Sequence, residues 1–254
     1  MSEIKKVAVI GAGVMGSGIA AQIANAGIPV RLLDMPQKGF GKKNSLAEDA
    51  IERLLKADPA PLMHRQNVKL ITPGNTEDLK DIADCDWVIE VIVERLDIKR
   101  ELYARLQEVC GPNTLFSSNT STIPLKDLVA GTSLDFQKRF MITHFFNPPR
   151  YMRLLEVVRG ENTLDQHYNL ITDFADKMLG KTVVACNDTP GFIGNRIGTF
   201  WIQTAFLDAI DKKIPIEDAD AVLGKPLGIP KTGVFALMDL VGLDLMPLIG
   251  KSMN

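Results

Sequence analysis

Of the three histidines in the chain, only His144 lies in a setting suited to proton transfer. It falls in the apolar run RFMITHFF, beside Phe145 and Phe146, with a diproline close behind. Twelve residues on, Glu156 stands among Leu154, Leu155, Val157 and Val158. A carboxylate in the middle of a strand-like apolar run is costly to bury without a partner, and an imidazole is a suitable one. Paired in this way, the carboxylate would fix the tautomer, orient the ring and stabilise the imidazolium. Such a pair suits alcohol oxidation, in which a base takes the hydroxyl proton while hydride leaves the same carbon. A histidine next to Phe145 and Phe146 can equally be a hydrogen-bonded core residue, so Glu156 carries the functional reading. His64, in a Pro-rich loop, and His167, among polar residues on a helix, read as solvated surface.

The hydride acceptor is suggested near the N-terminus. Gly11, Gly13 and Gly16 have the GxGxxG spacing, which alone is a weak signal. Here it follows a short apolar run ending at Ile10, opens a helical pattern that Gly27 stops, and precedes a second strand ending in Asp34. That context makes it a dinucleotide site. Gly11 allows the tight turn, Gly13 lets the pyrophosphate approach the backbone, and Gly16 lets helix and strand pack closely. A carboxylate at Asp34 can accept both ribose hydroxyls and repels a 2′-phosphate, and no arginine follows in Met35, Pro36 and Gln37. The cofactor expected is NAD.

Two polar clusters accompany these residues. SSNTST, residues 117–122, follows an apolar strand at the edge of the predicted sheet, where open α/β sheets bind ligands. Either Ser121 or Thr122 can instead cap the short helix starting near Pro124, and capping is the role expected of Thr122. Asn195 and Arg196 lie on the first helix after DTPGFIG, next to a domain boundary.

Strand-like and helical patterns alternate from Val7 to Cys186, which predicts an α/β fold: a Rossmann-type domain over residues 1–187. The remainder, 188–254, reads as a smaller all-helical domain with a broad apolar face on its first helix, formed by Phe192, Ile193, Ile197, Phe200, Trp201 and Ala205. So short a helical part is expected to be covered by a second subunit or by further chain. The net charge of -2 argues against a nucleic-acid surface or a polybasic membrane patch. Cys85, Cys110 and Cys186 have neither disulfide nor metal-ligand spacing, and no metal is expected. With no signal sequence or membrane span in view, the expected location is cytoplasmic.

The segments GAGVMGSGIAAQIANAG, WVIEVIVERLDIKRELYARL, LFSSNTSTI, HFFNPP, MRLLEVV, DTPGFIGNRI and GIPKTGVFALMDLVGLD together resemble the L-3-hydroxyacyl-CoA dehydrogenase family. They span nearly the whole chain in order. The resemblance implies NAD-dependent oxidation of a 3-hydroxyacyl-CoA to the 3-ketoacyl-CoA in fatty-acid β-oxidation. It implies His144 as acid/base, Glu156 as its orienting carboxylate, Ser121 on the substrate oxygen and Asn195 completing the site. Glu94, Lys99 and Asn147 fall on the family's nicotinamide-end residues, and Ser121 counts among the cofactor contacts too. Also implied is a helical dimerisation domain, so a homodimer or part of a larger multidomain chain is expected. Arg153 stands where the family usually has Lys, and no CoA-phosphate contacts carry over. The helical part is expected to be incomplete, since the family's continues beyond DLVGLD. Two other readings stay open: a dehydrogenase of a 3-hydroxy acid without CoA, and an inactive NAD-binding fragment.

Overall fold

The computed structural model describes residues 3–37, 43–228 and 232–243. The chain divides into two compact units, Met1–Asp188 and Thr189–Asn254.

The first unit is built on an eight-stranded sheet in the order β3-β2-β1-β4-β5-β6-β7-β8. Its strands are β1 (Val7–Ile10), β2 (Val30–Asp34), β3 (Ile71–Asn75), β4 (Trp87–Glu90), β5 (Leu115–Ser118), β6 (Phe140–Phe145), β7 (Leu154–Arg159) and β8 (Thr182–Cys186). β1, β4 and β5 are buried along their whole length, as strands covered on both faces must be. All neighbours pair in parallel except β6 and β7. The link between these two, residues 146–153, is too short for the crossover a parallel pair needs.

Helices α1 (Val14–Asn25), α2 (Ser45–Leu54) and α6 (Asp165–Lys177) close one face. Ile19, Ile23, Ala50 and Phe174 pack there with Val9, Trp87 and Met141 of the sheet. Alternation along the strands sends Phe116 and Phe140 to the opposite face. There they stack with Tyr103 of α3 (Leu96–Val109) and Phe136 of α5 (Leu134–Lys138). Between α3 and α5 lies the single turn α4 (Leu125–Leu128). Asp188, not Thr122, caps it: the carboxylate accepts from the backbone N–H groups of Leu125 and Lys126, while the Thr122 hydroxyl is bonded elsewhere. Residues 65–70 coil into a 3-10 turn, and β3 begins directly after it at Ile71.

The second unit is helical, with α7 (Gly194–Asp211), α8 (Ile216–Val222) and α9 (Phe235–Val241). Along α7, Ala205 and Ala209 are buried whereas Ile197 and Phe200 stand in the open. No helix among the described residues is long and apolar enough to cross a membrane.

Candidate active site

The turn after β1 is shaped by its glycines. Gly11 has φ +108°, in the left-handed region, and a Cβ there would lie 2.4 Å from the Val91 carbonyl oxygen. A Cβ on Gly16 would lie 1.7 Å from the Gly11 carbonyl oxygen, so helix and turn touch backbone to backbone. Gly13 differs: a Cβ there would meet nothing within 4 Å, which leaves the N-terminus of α1 open. No side chain caps that end, so its first N–H groups and the helix dipole face the opening. An anion such as a pyrophosphate fits this cradle.

Asp34, at the end of β2, accepts from the Ala12 N–H through Oδ2 and from the Met35 N–H through Oδ1, both at 2.6 Å. A cleft of about 330 Å³ opens beside it, lined by Gly13, Met35, Thr76, Val91, Val93 and Ile98. Its apolar walls, with Asp34, Glu101 and Arg105 as the charged groups of the lining, suit an adenosine.

Four strands from β2, His144 on β6 stands directly opposite Glu156 on β7 in the antiparallel register. His144 Nδ1 and Glu156 Oε2 are 2.8 Å apart, with the imidazole 8% exposed and the glutamate fully buried. Phe146 meets the imidazole edge-on, with ring centroids 4.6 Å apart. The end of β6 is tied to the β5 loop by the Phe145 N–H, which donates to Asn119 Oδ1 at 2.9 Å.

That loop carries Ser121, half-buried. The hydroxyls on either side, Thr120 and Thr122, both donate to Oε1 of Glu94. The Ser121 hydroxyl itself has no hydrogen-bond partner among the described residues. Burial pushes the Glu94 carboxyl up. The Lys99 charge and the bonds from Thr120 and Thr122 outweigh it and leave the group below its usual range.

Lys99 is not an exposed cation. It is 1% exposed, with Nζ 2.6 Å from Glu90 Oε1 and 3.3 Å from Glu94 Oε2. Glu90 went unnoticed in the sequence, although a carboxylate inside WVIEVIV is the same signal that singled out Glu156. Asn147 is exposed in the link after β6 and lines a cleft of about 350 Å³ with Val14, Gly18 and Arg150. Asn195 opens α7 in the second unit. Of the other histidines, His64 is exposed and accepts from the Gln66 N–H. His167 is half-buried rather than solvated, 2.9 Å from the Lys138 carbonyl. No cluster of metal-ligating side chains occurs among the described residues.

The chain is similar to known proteins over nearly all of its length. The family model described as 3-hydroxyacyl-CoA dehydrogenase, NAD binding domain, matches residues 6–189, and that of the C-terminal domain of the same family matches residues 191–254. A putative fatty acid oxidation complex trifunctional enzyme of Rickettsia felis is 47% identical over 99% of this chain, which spans only 35% of that protein's length. A probable 3-hydroxyacyl-CoA dehydrogenase of Deinococcus radiodurans is 46% identical over 96% of this chain and 71% of its own. The crystal structure of FadB2 from M. tuberculosis superposes with a TM-score of 0.84 at 33% identity, covering 99% of this chain and 87% of that one.

Proposed function

Because the chain belongs to the 3-hydroxyacyl-CoA dehydrogenase family, we propose that it interconverts L-3-hydroxyacyl-CoA and 3-ketoacyl-CoA in fatty-acid oxidation, with His144 as the acid/base. The observation that carries this reading is the opposed His144–Glu156 pair at 2.8 Å. NAD, when bound, supplies the hydride acceptor. The open Gly13 cradle and Asp34 would hold its pyrophosphate and adenosine ribose, and Glu94 and Asn147 its nicotinamide end, with Lys99 acting through Glu94.

Glu156 engages Nδ1, which assigns proton exchange with the substrate hydroxyl to Nε2. The buried carboxylate holds the ring in that tautomer and stabilises the imidazolium formed when the alcohol is oxidised. In the reverse direction the imidazolium returns the proton to the carbonyl oxygen. Ser121 donates a hydrogen bond to that oxygen, its backbone held on both sides by the Thr120 and Thr122 bonds to Glu94. The role given to Asn195 rests on the family resemblance alone.

The test is turnover of acetoacetyl-CoA with NADH, followed by loss of NADH absorbance, beside free acetoacetate at the same concentration. The reading expects turnover of the thioester and little of the free acid. Turnover of the free acid alone would replace the substrate class. No turnover of either, with NADH bound, would remove the activity.

A further inference from the structure

Glu90, the last residue of β4, holds a charge that the reaction as assigned does not use. It is 1% exposed and accepts four hydrogen bonds. Oε1 receives Lys99 Nζ at 2.6 Å and the Ile92 N–H at 2.8 Å. Oε2 receives the Tyr103 hydroxyl at 2.6 Å and the Ser118 hydroxyl at 2.7 Å. Four donors saturate a carboxylate, and one of them here is an ammonium. Burial and this charge together push the Tyr103 phenol well above its usual range, which keeps it a donor.

Three of the four partners lead toward the site. Lys99 reaches Glu94, which holds the hydroxyls flanking Ser121. Ser118 Oγ also accepts from the Thr120 N–H at 3.2 Å. Ile92 follows Val91, whose carbonyl oxygen closes over Gly11. One buried carboxylate therefore ties together the ends of β4 and β5, helix α3 and the Ser121 loop.

The charges here do not cancel. Glu90, Lys99 and Glu94 sum to one net negative charge, largely shielded from water at Glu90 and Lys99. A dinucleotide reaching from Asp34 on β2 to His144 on β6 must cross the ends of β1, β4 and β5 in this strand order. Its nicotinamide is cationic when oxidised and neutral when reduced, so a fixed negative charge along that path stabilises one form only. We propose that Glu90 is a positioning residue which, through the Glu90–Lys99–Glu94 trio, raises the affinity of the site for oxidised relative to reduced cofactor. This rests on the NAD-dependent reading above.

The experiment is to measure dissociation constants of NAD+ by calorimetry and of NADH by fluorescence, for the full chain and for Glu90→Gln. The neutral amide brings the trio to zero charge. The ratio of the NAD+ to the NADH constant should rise roughly three- to tenfold, mostly through weaker NAD+ binding. An unchanged ratio, or equal weakening of both forms as a purely structural role would give, overturns the proposal. Should Glu90→Gln fail to fold for want of a partner to Lys99, Glu90→Gln combined with Lys99→Met removes both buried charges and keeps one negative charge on Glu94. Its ratio should stay within about twofold of the parent, and a ratio shifted as far as expected for the single variant overturns the charge account. If the parent chain turns over acetoacetyl-CoA and the ratio does not respond, only this inference fails. If the parent binds neither cofactor form, the dehydrogenase reading falls with it.

Discussion

His144 and Glu156 are direct cross-strand neighbours: they occupy opposed positions of antiparallel β6 and β7, with Nδ1 and Oε2 2.8 Å apart. Directly opposed residues share one face of the sheet at close range. The pairing is therefore a property of register, and the buried carboxylate has its partner built into the ladder.

From that pairing, His144→Gln should lower turnover by about 10²–10⁴, the usual worth of a positioned acid/base, and leave NADH binding intact. Glu156→Gln should lower turnover as well, since an amide stabilises imidazolium less. The double variant should be far less impaired than the product of the two losses, because the residues act as a unit. Steady-state kinetics with acetoacetyl-CoA checks this. Near-normal turnover in His144→Gln would end its assignment, and strictly multiplicative losses would end the pairing.

Two glycines of one motif should fail in different ways. Gly16→Ala places a methyl group 1.7 Å from the Gly11 carbonyl oxygen, so the helix must shift and the melting temperature should drop. Gly13→Ala meets no protein atom within 4 Å and should fold with little loss, yet bind NADH more weakly because the methyl enters the cofactor's space. Thermal melts and NADH fluorescence titrations separate the two. Equal melting temperatures would contradict the packing argument.

Asp34→Ala should weaken NADH by roughly 1–3 kcal/mol for the loss of a charged hydrogen-bonding partner. It should also narrow the preference over NADPH, since the repelling charge is gone. The Ala12 and Met35 N–H groups lose their acceptor as well, so part of the effect comes from a looser glycine turn. Fluorescence titration with both cofactors measures this, and tighter NADPH than NADH binding in the parent chain would refute the role of Asp34.

Lys181 is buried against the link that joins β6 to β7. Its ammonium donates to the Pro149 and Met152 carbonyls and lies 5.5 Å from the Phe145 ring centroid. Burial lowers its pKa to about 8, below the roughly 10.4 of an unfolded lysine. Below pH 8 both states are protonated and the desolvation cost is present in full. Between those two values the unfolded chain binds the proton and the native chain does not, so this residue's contribution to stability rises with pH. Urea unfolding of the parent and of Lys181→Met from pH 7 to 10 should show the difference, parent minus variant, increasing with pH. A flat or falling difference would mean that the lysine is not held in this way.

Much of the site was legible because its signals are local. The glycine spacing between a strand and a helix needs only neighbouring residues, and His144 and Glu156 each stood out as polar groups in apolar runs. Glu90 gives the same signal inside the apolar run WVIEVIV, but that run does not show that β4 ends at Glu90 and that its carboxylate turns to α3. Thr122 departs from expectation for a related reason. Its spacing before Pro124 suits a cap, but its hydroxyl is used by Glu94, and the cap is Asp188 from far along the chain. Local rules rank the caps close at hand and are silent on residues that arrive from elsewhere.

Composition and periodicity by themselves determined that an α/β unit with a phosphate-binding turn comes first and a helical unit follows. They also picked out the imidazole and the carboxylate as candidates. Only the tertiary structure decided that β7 runs antiparallel to β6 in the register that sets His144 against Glu156, and that Lys99 is enclosed between two glutamates. The reason is physical: side chains alternate faces along a strand, so a slip of one residue would send Glu156 to the opposite face from His144. What prevents the slip is packing between distant segments, which no local propensity contains.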